Sequence, residues 1–173
     1  MKTSLLFSEK QIEAQVAELA KQINLKYGTE EVIAVGILKG CFVFFSDLIK
    51  HLTTSTICDF CSVSFYGQSI RAKQTASLSL NMSQPIQDKH ILLIDCIADH
   101  GYSLKHMQDH ILRHKPKSLT SVVLISKPEA HKTASIDFSG FRVDQDVFVV
   151  GYGIDYKEEG RSLPYLAQLE DLN

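Results

Sequence analysis

The stretch His90-Ile-Leu-Leu-Ile-Asp-Cys-Ile-Ala-Asp-His-Gly-Tyr-Ser-Leu104 joins an apolar run to a short polar loop. The apolar run predicts a central strand over 90–95, and the residues after the loop predict a helix over 104–114. Such a loop presents backbone N–H groups and the positive end of a helix to an anion. Asp95 and Asp99 lie in the same unit. The stretch can therefore place carboxylates beside a bound phosphate.

The rest of the chain repeats this alternation of strands and helices. It predicts an α/β fold, with a mainly parallel twisted sheet flanked by helices on both faces. A length of 173 residues suits one domain over 1–173. Residues 1–10 and 153–173 are expected to add a small hood lobe. Helices are predicted at 8–27 and 41–52, and strands at 31–38, 58–66, 76–82, 121–126 and 147–152.

Composition excludes several classes of protein. Apolar residues make up 45% and charged residues 22% of the chain, as in ordinary globular domains. The net charge of −2 gives no sign of a nucleic-acid or membrane surface. No run approaches the roughly 18 apolar residues that cross a bilayer, and the start does not resemble a signal peptide. We therefore expect a cytoplasmic protein.

The cysteines at 41, 58, 61 and 96 are predicted to be reduced and buried. Cys58 and Cys61 have the spacing of a redox or metal pair. They lie, however, in a predicted strand, where residues three apart point to opposite faces. No second Cys or His pair completes a zinc site in the sequence.

Polar residues follow several apolar runs, at 38–40, 95–103, 127–128 and 151–155. Ligands of open parallel sheets bind outside the carboxyl ends of the strands. These segments are therefore predicted to converge on one ligand site. Alternative roles stay open for single residues, because Asp99 could cap the following helix, Phe148 could pack in the core and Asp155 could be solvated.

The same segments carry a resemblance to a known family. The chain resembles the type I purine phosphoribosyltransferases, specifically the hypoxanthine-guanine branch, in order from about residue 31 to 166. The motifs are Gly-Ile-Leu-Lys-Gly at 36–40, Ser-Phe-Tyr-Gly at 64–67, the 95–104 unit, Ile-Ser-Lys-Pro-Glu at 125–129, Phe-Val-Val-Gly-Tyr-Gly-Ile-Asp-Tyr at 148–156 and Arg-Ser-Leu-Pro-Tyr at 161–165.

The resemblance implies a purine-salvage enzyme. It would transfer the phosphoribosyl group of phosphoribosyl pyrophosphate to hypoxanthine or guanine with Mg²⁺, giving IMP or GMP and pyrophosphate. Its expected partners are these substrates, with no nucleic acid and no membrane, and a homodimer or homotetramer is expected. The alternative is a catalytically weakened or non-catalytic nucleotide-binding protein on the same fold.

The resemblance also assigns roles to residues. Asp99 matches the general base at purine N7, and Lys127 matches the lysine that contacts the 6-oxo group. The remaining matches are His100, Gly101, Tyr102 and Ser103 for the 5′-phosphate; Asp95 and Cys96 for the ribose; Leu38, Lys39, Gly40 and Arg161 for pyrophosphate, with a cis peptide between Leu38 and Lys39; Phe148 and Val149 for the base; Phe65 and Tyr66 for the lid; and Asp155 and Asp95 for the metal.

Departures from the family pattern bear on activity. Asp95-Cys96 stands where the family has Glu-Asp. A neutral thiol is a poor ligand for a ribose diol or for Mg²⁺, which prefers oxygen. Further departures are Phe65 for serine, His100 for threonine and His131 for arginine.

Overall fold

The computed structural model describes residues 2–66 and 75–170. Within these ranges the helices are α1 (Glu9–Tyr27), α2 (Phe42–His51), α3 (Tyr102–Arg113) and α4 (Ala130–Thr133). The strands are β1 (Thr3–Phe7), β2 (Val32–Leu38), β3 (Thr56–Tyr66), β4 (Thr75–Leu80), β5 (His90–Ala98), β6 (Ser118–Ser126), β7 (Phe138–Arg142), β8 (Val149–Val150) and β9 (Leu166–Leu169).

Two sheets organise these strands. The central sheet has the order β4-β3-β2-β5-β6-β7, and only the β3–β4 pair in it is antiparallel. The second sheet has the antiparallel order β1-β9-β8 and joins strands from the two chain ends. The predicted mainly parallel α/β fold is confirmed. The boundary of the hood lobe stays a prediction.

The central sheet is covered on both faces. Neighbouring residues of a strand point to opposite faces, so each strand contributes side chains to two core clusters. Leu92 belongs to the core cluster that contains the buried residues of α1 and α2. The next residue, Leu93, belongs to the other cluster, together with the buried face of α3. The near-continuous apolar runs of β2, β5 and β6 follow from this double coverage.

Local sequence explains the ends of α1. The Ser8 side chain accepts from the Gln11 backbone amide while the Gln11 side chain accepts from the Ser8 amide, a complete capping box. At the other end, Gly28 has φ +57° and its N–H donates to the Asn24 carbonyl. A glycine takes this conformation without the steric cost of a Cβ.

Several sequence predictions need correction. The strand predicted at 147–152 is only Val149–Val150, and it pairs with β9 rather than joining the parallel sheet. Strands β1, β7 and β9 were not predicted, because each is short and lacks a clear alternation. The segment 67–75 lacks apolar periodicity in the sequence, which predicts an exposed loop. It lies outside the described residues except for Thr75, which begins β4.

The cysteine prediction is corrected at one position. Cys41, Cys61 and Cys96 are buried free thiols, but Cys58 is exposed. Cys58 and Cys61 differ in this way because they lie three residues apart on β3. No helix in the described part of the chain is long and apolar enough to cross a membrane.

A pair of leucines on α1 tests the packing. Leu19 is fully buried, whereas Leu25 is 78% exposed. We expect Leu19→Ala to lower the free energy of unfolding by about 2–5 kcal/mol, because it removes apolar contacts and leaves a cavity. Leu25→Ala is the matched control and should change it by less than about 0.5 kcal/mol. Urea unfolding of both variants measures the difference, and equal losses would contradict this packing.

Candidate active site

Asp99 and Lys127 meet at the carboxyl ends of two neighbouring parallel strands. Ala98 of β5 is in register with Ser126 of β6, so the next residue of each strand reaches the same level. The Lys127 Nζ lies 3.1 Å from Asp99 Oδ1. The lysine side chain is only 5% exposed, while that of Asp99 is 48% exposed. A buried ammonium needs such a partner, and the carboxylate keeps one side open to a ligand.

The N-terminus of α3 opens beside this pair. Asp99 does not cap the helix, because the N-cap is Gly101 and no side chain caps this end. Gly101 has φ +78°, and a Cβ there would lie 3.0 Å from the Ala130 carbonyl oxygen. Uncapped N–H groups at a helix N-terminus favour an anion. The flanking side chains of His100 and Tyr102 are exposed, with their rings parallel at 5.9 Å.

The loop after β2 faces the segment that follows β8. The peptide bond between Leu38 and Lys39 is cis, as the resemblance implies. A Cβ on Gly153 would lie 2.5 Å from the Gly40 carbonyl oxygen. Only glycine permits this approach, and it brings 151–155 next to 38–40 although β8 lies outside the central sheet.

A chain of charged side chains joins the same two segments. Lys39 Nζ lies 3.2 Å from Glu158 Oε1, and Glu158 Oε2 accepts from Arg161 at 3.0 Å. Arg161 also contacts Asp155 Oδ1 at 2.8 Å and donates to the Gly153 carbonyl at 2.9 Å. The hydrogen bond from Arg161 is the largest cause that holds the pKa of Glu158 below its usual value. Lys39, Asp155 and Arg161 are thus brought together.

The two residues that depart from the family pattern differ in exposure, since Asp95 is partly buried and Cys96 is fully buried. Asp95 Oδ1 accepts from the Cys96 backbone N–H at 2.8 Å, and burial raises the pKa of Asp95 to about 7. Cys96 is fully buried, and its thiol donates to the Tyr152 carbonyl at 3.8 Å. Burial raises the pKa of the Cys96 thiol well above its usual value. Its location does not favour the ribose contact predicted for Cys96.

Two predicted binding residues lie where β8 begins. Phe148 is partly buried, with its ring edge-on to that of Tyr156 at 5.3 Å between centroids. Val149 is 3% exposed and pairs with Gln168 of β9. Phe65 and Tyr66, predicted to form a lid, end β3, and their side chains lie outside the described residues.

Sequence reasoning missed Gln145 and Glu158. Gln145 Nε2 donates to Asp99 Oδ1 at 2.8 Å across 46 positions of sequence. Gln145 and Glu158 are polar residues in turns of a polar segment, where no periodicity distinguishes a functional side chain from a solvated one. Only their tertiary contacts identify them.

Comparison with known proteins identifies the family of this chain. Residues 3–157 match the family described as the phosphoribosyl transferase domain. The chain belongs to this family. It is 39% identical to the hypoxanthine-guanine phosphoribosyltransferase of Aquifex aeolicus over 172 residues, which cover 98% of this chain and 96% of the relative.

Solved structures extend the match to three dimensions. A hypoxanthine-guanine phosphoribosyltransferase from Bacillus anthracis superposes with a TM-score of 0.90 at 37% identity, covering 96% of this chain and 98% of that one. The hypoxanthine phosphoribosyltransferase of Trypanosoma cruzi, studied for the role of its C-terminal region in oligomeric state and activity, has a TM-score of 0.89 at 28% identity, covering 96% and 90%.

The partly buried carboxyl of Asp95 should make the stability of this phosphoribosyltransferase depend on pH. The pKa of Asp95 is raised from 3.8 to about 7, so the folded protein binds more protons than the unfolded chain between these pH values. Stability should fall as pH rises through this window. Asp95→Asn removes this titration. The free energy of unfolding of the variant minus that of wild type should therefore be about 2–4 kcal/mol larger at pH 8 than at pH 4.

Urea unfolding at several pH values measures this difference. Asp146→Asn is the control, because Asp146 is exposed in a turn. A stability difference between Asp95→Asn and wild type that did not change with pH would show that Asp95 titrates normally.

Proposed function

We propose that the protein transfers the 5-phosphoribosyl group of phosphoribosyl pyrophosphate to hypoxanthine or guanine, giving IMP or GMP and pyrophosphate. One observation carries this proposal: a half-exposed carboxylate, Asp99, pairs with a buried ammonium, Lys127, beside the uncapped N-terminus of α3. The activity of its relatives supports the same reaction.

The base would bind against the Asp99–Lys127 pair. Lys127 donates to the 6-oxo group, and Asp99 accepts the proton of purine N7. N9 forms the bond to the anomeric carbon as the bond from that carbon to pyrophosphate breaks, and the N7 proton moves to Asp99. A 6-amino group would leave the lysine without an acceptor, so the pair would discriminate against adenine. Phe148 would stack on the base and the Val149 backbone would contact its edge.

The 5′-phosphate and the pyrophosphate of phosphoribosyl pyrophosphate would bind at two separate loops. The backbone N–H groups of the 100–103 loop at the start of α3 would bind the 5′-phosphate, together with the Ser103 hydroxyl. Pyrophosphate would bind at Leu38, Lys39 and Gly40, with Arg161 across from them. Arg161 is already held by Asp155 and Glu158, so it is oriented before substrate arrives. Phe65 and Tyr66 would close over the reacting centre and exclude water.

Asp155 fits a magnesium ion better than Asp95 does. Mg²⁺ in such sites is held by one or two carboxylates together with substrate phosphates. Asp155 offers a carboxylate beside the proposed pyrophosphate site, whereas desolvation raises the pKa of Asp95 to about 7, so that near neutral pH a large share of its carboxyl is protonated. No group of three or more acidic, His or Cys side chains within 2–66 and 75–170 could hold a metal. Bound Mg²⁺ would neutralise charge on the leaving pyrophosphate.

We propose a homodimer or homotetramer, which is the assembly implied by the family resemblance. The free cysteines agree with a reducing compartment such as the cytoplasm.

A pyrophosphate-release assay with phosphoribosyl pyrophosphate, Mg²⁺ and either hypoxanthine or guanine tests the reaction. We expect turnover with both bases and at least about a hundredfold less with adenine. The absence of turnover, with micromolar binding of IMP by calorimetry, would instead support a non-catalytic nucleotide-binding protein. Asp95 and Cys96 would then be the first residues to replace.

Lys127→Ala tests the assigned base contact. Because the lysine is predicted to touch the base and not the phosphates, kcat/KM for hypoxanthine should fall about a hundredfold or more, and discrimination against adenine should shrink. The affinity for phosphoribosyl pyrophosphate should change by less than about threefold. Lys21→Ala, at an exposed position of α1, is the control. Equal losses for base and phosphate would refute the role.

A further inference from the structure

Gln145 contacts both residues of the Asp99–Lys127 pair. It lies in the turn between β7 and β8, where the Val147 N–H donates to the Asp144 carbonyl at 3.3 Å. Its Nε2 donates to Asp99 Oδ1 at 2.8 Å, and its backbone carbonyl accepts from Lys127 Nζ at 3.3 Å. A single residue of this turn is therefore bonded to the carboxylate and to the ammonium.

The orientation of the Gln145 carboxamide is determined by its other partner. Gln145 Oε1 accepts from the Glu129 backbone N–H at 3.0 Å, at the start of α4. A backbone N–H can only donate, so Oε1 must face Glu129 and Nε2 must face Asp99. The carboxamide thus links the backbone at Glu129 to one oxygen of the carboxylate.

The two oxygens of Asp99 consequently differ. Oδ1 has two donors, Gln145 Nε2 at 2.8 Å and Lys127 Nζ at 3.1 Å. Oδ2 has one longer contact, to His100 Nδ1 at 3.4 Å. An oxygen held by two donors is a weaker proton acceptor than one with a free lone pair. The reacting oxygen should therefore be Oδ2.

We propose that Gln145 is a positioning residue for the general base. It holds Asp99 Oδ1 against Lys127, so that Oδ2 faces N7 of the purine. The inference rests on the proposed function, and it adds which atom takes the proton and which residue orients it. A third group that orients a catalytic base is a common device in enzyme sites.

Titratable side chains also surround Asp99, whereas Gln145 carries no charge. Lys127 and His100 contact its carboxylate directly. An adjoining cavity of about 410 Å³ is lined by Lys127 together with His131, Arg142 and Asp144. Gln145 is neutral, so replacing it with leucine removes its hydrogen bond to Asp99 without changing the net charge.

Gln145→Leu and Gln145→Glu test the proposal together. Gln145→Leu should lower kcat for hypoxanthine roughly tenfold and change KM for phosphoribosyl pyrophosphate less than about twofold. The ionised carboxylate loses a donor, so the acid limb of the kcat/KM profile should move to higher pH. Gln145→Glu should move it further, because it also adds a negative charge beside Asp99. The control is Asp146→Asn, at the next, exposed position of the turn.

Loss of activity by the same factor at every pH, or no loss at all, would overturn the proposal, because a purely structural role does not move the acid limb. Urea unfolding of each variant identifies losses that come from misfolding.

Calorimetric binding of IMP gives a readout that needs no turnover. N7 of IMP carries no proton, so its contact with Asp99 requires a protonated carboxyl, and affinity should fall as pH rises. In both Gln145 variants this fall should occur at higher pH than in wild type. An unmoved profile would refute the role of Gln145, whereas lack of wild-type turnover alone would refute only the proposed reaction.

Discussion

The ion pair between Asp99 and Lys127 depends on the alignment of two strands, and the rest of the site is arranged around it. The ammonium of Lys127 is almost wholly withdrawn from water, which is costly unless an opposite charge lies within reach. That charge is available because β5 and β6 run parallel and in register up to Ala98 and Ser126. A slip of one residue would turn the side chains of one strand to the opposite face of the sheet. The Asp99–Lys127 ion pair can therefore form only when β5 and β6 pair in the correct register.

The second half of the site comes from a different sheet and is held by close approach. Gly153 contacts the Gly40 carbonyl, and the Tyr152 hydroxyl donates to Asp47 of α2 at 2.6 Å. Through these contacts the antiparallel sheet of the chain ends brings Asp155 and Arg161 to the loop after β2. The chain ends thus supply part of the candidate site as well as covering the core.

Electrostatics can explain why a neutral residue follows Asp95. Asp95 is partly buried, and its raised pKa reflects the cost of charge in that environment. A carboxylate at position 96 would add a second charge where Cys96 now packs with no exposure to solvent. The neutral thiol avoids the burial of a second negative charge next to Asp95. The proposed chemistry accordingly depends on Asp99 and Lys127, whose charges are matched, more than on Asp95 and Cys96.

The sequence by itself determined the fold class and most of the central strands and helices. It also predicted that several strand ends lie together around one ligand site. These follow from local patterns: apolar runs long enough for buried strands, a capping box at Ser8, and polar residues directly after the strands. It did not determine β8, because two residues carry too little pattern to say which sheet they join. Nor did it indicate Gln145 and Glu158, whose partners lie 46 and 119 positions away. The contact of Gln145, and the difference that it creates between the two oxygens of Asp99, exists only once the turn before β8 has packed against the ends of β5 and β6. The contact of Glu158 needs the segment after β8 to pack against the loop after β2.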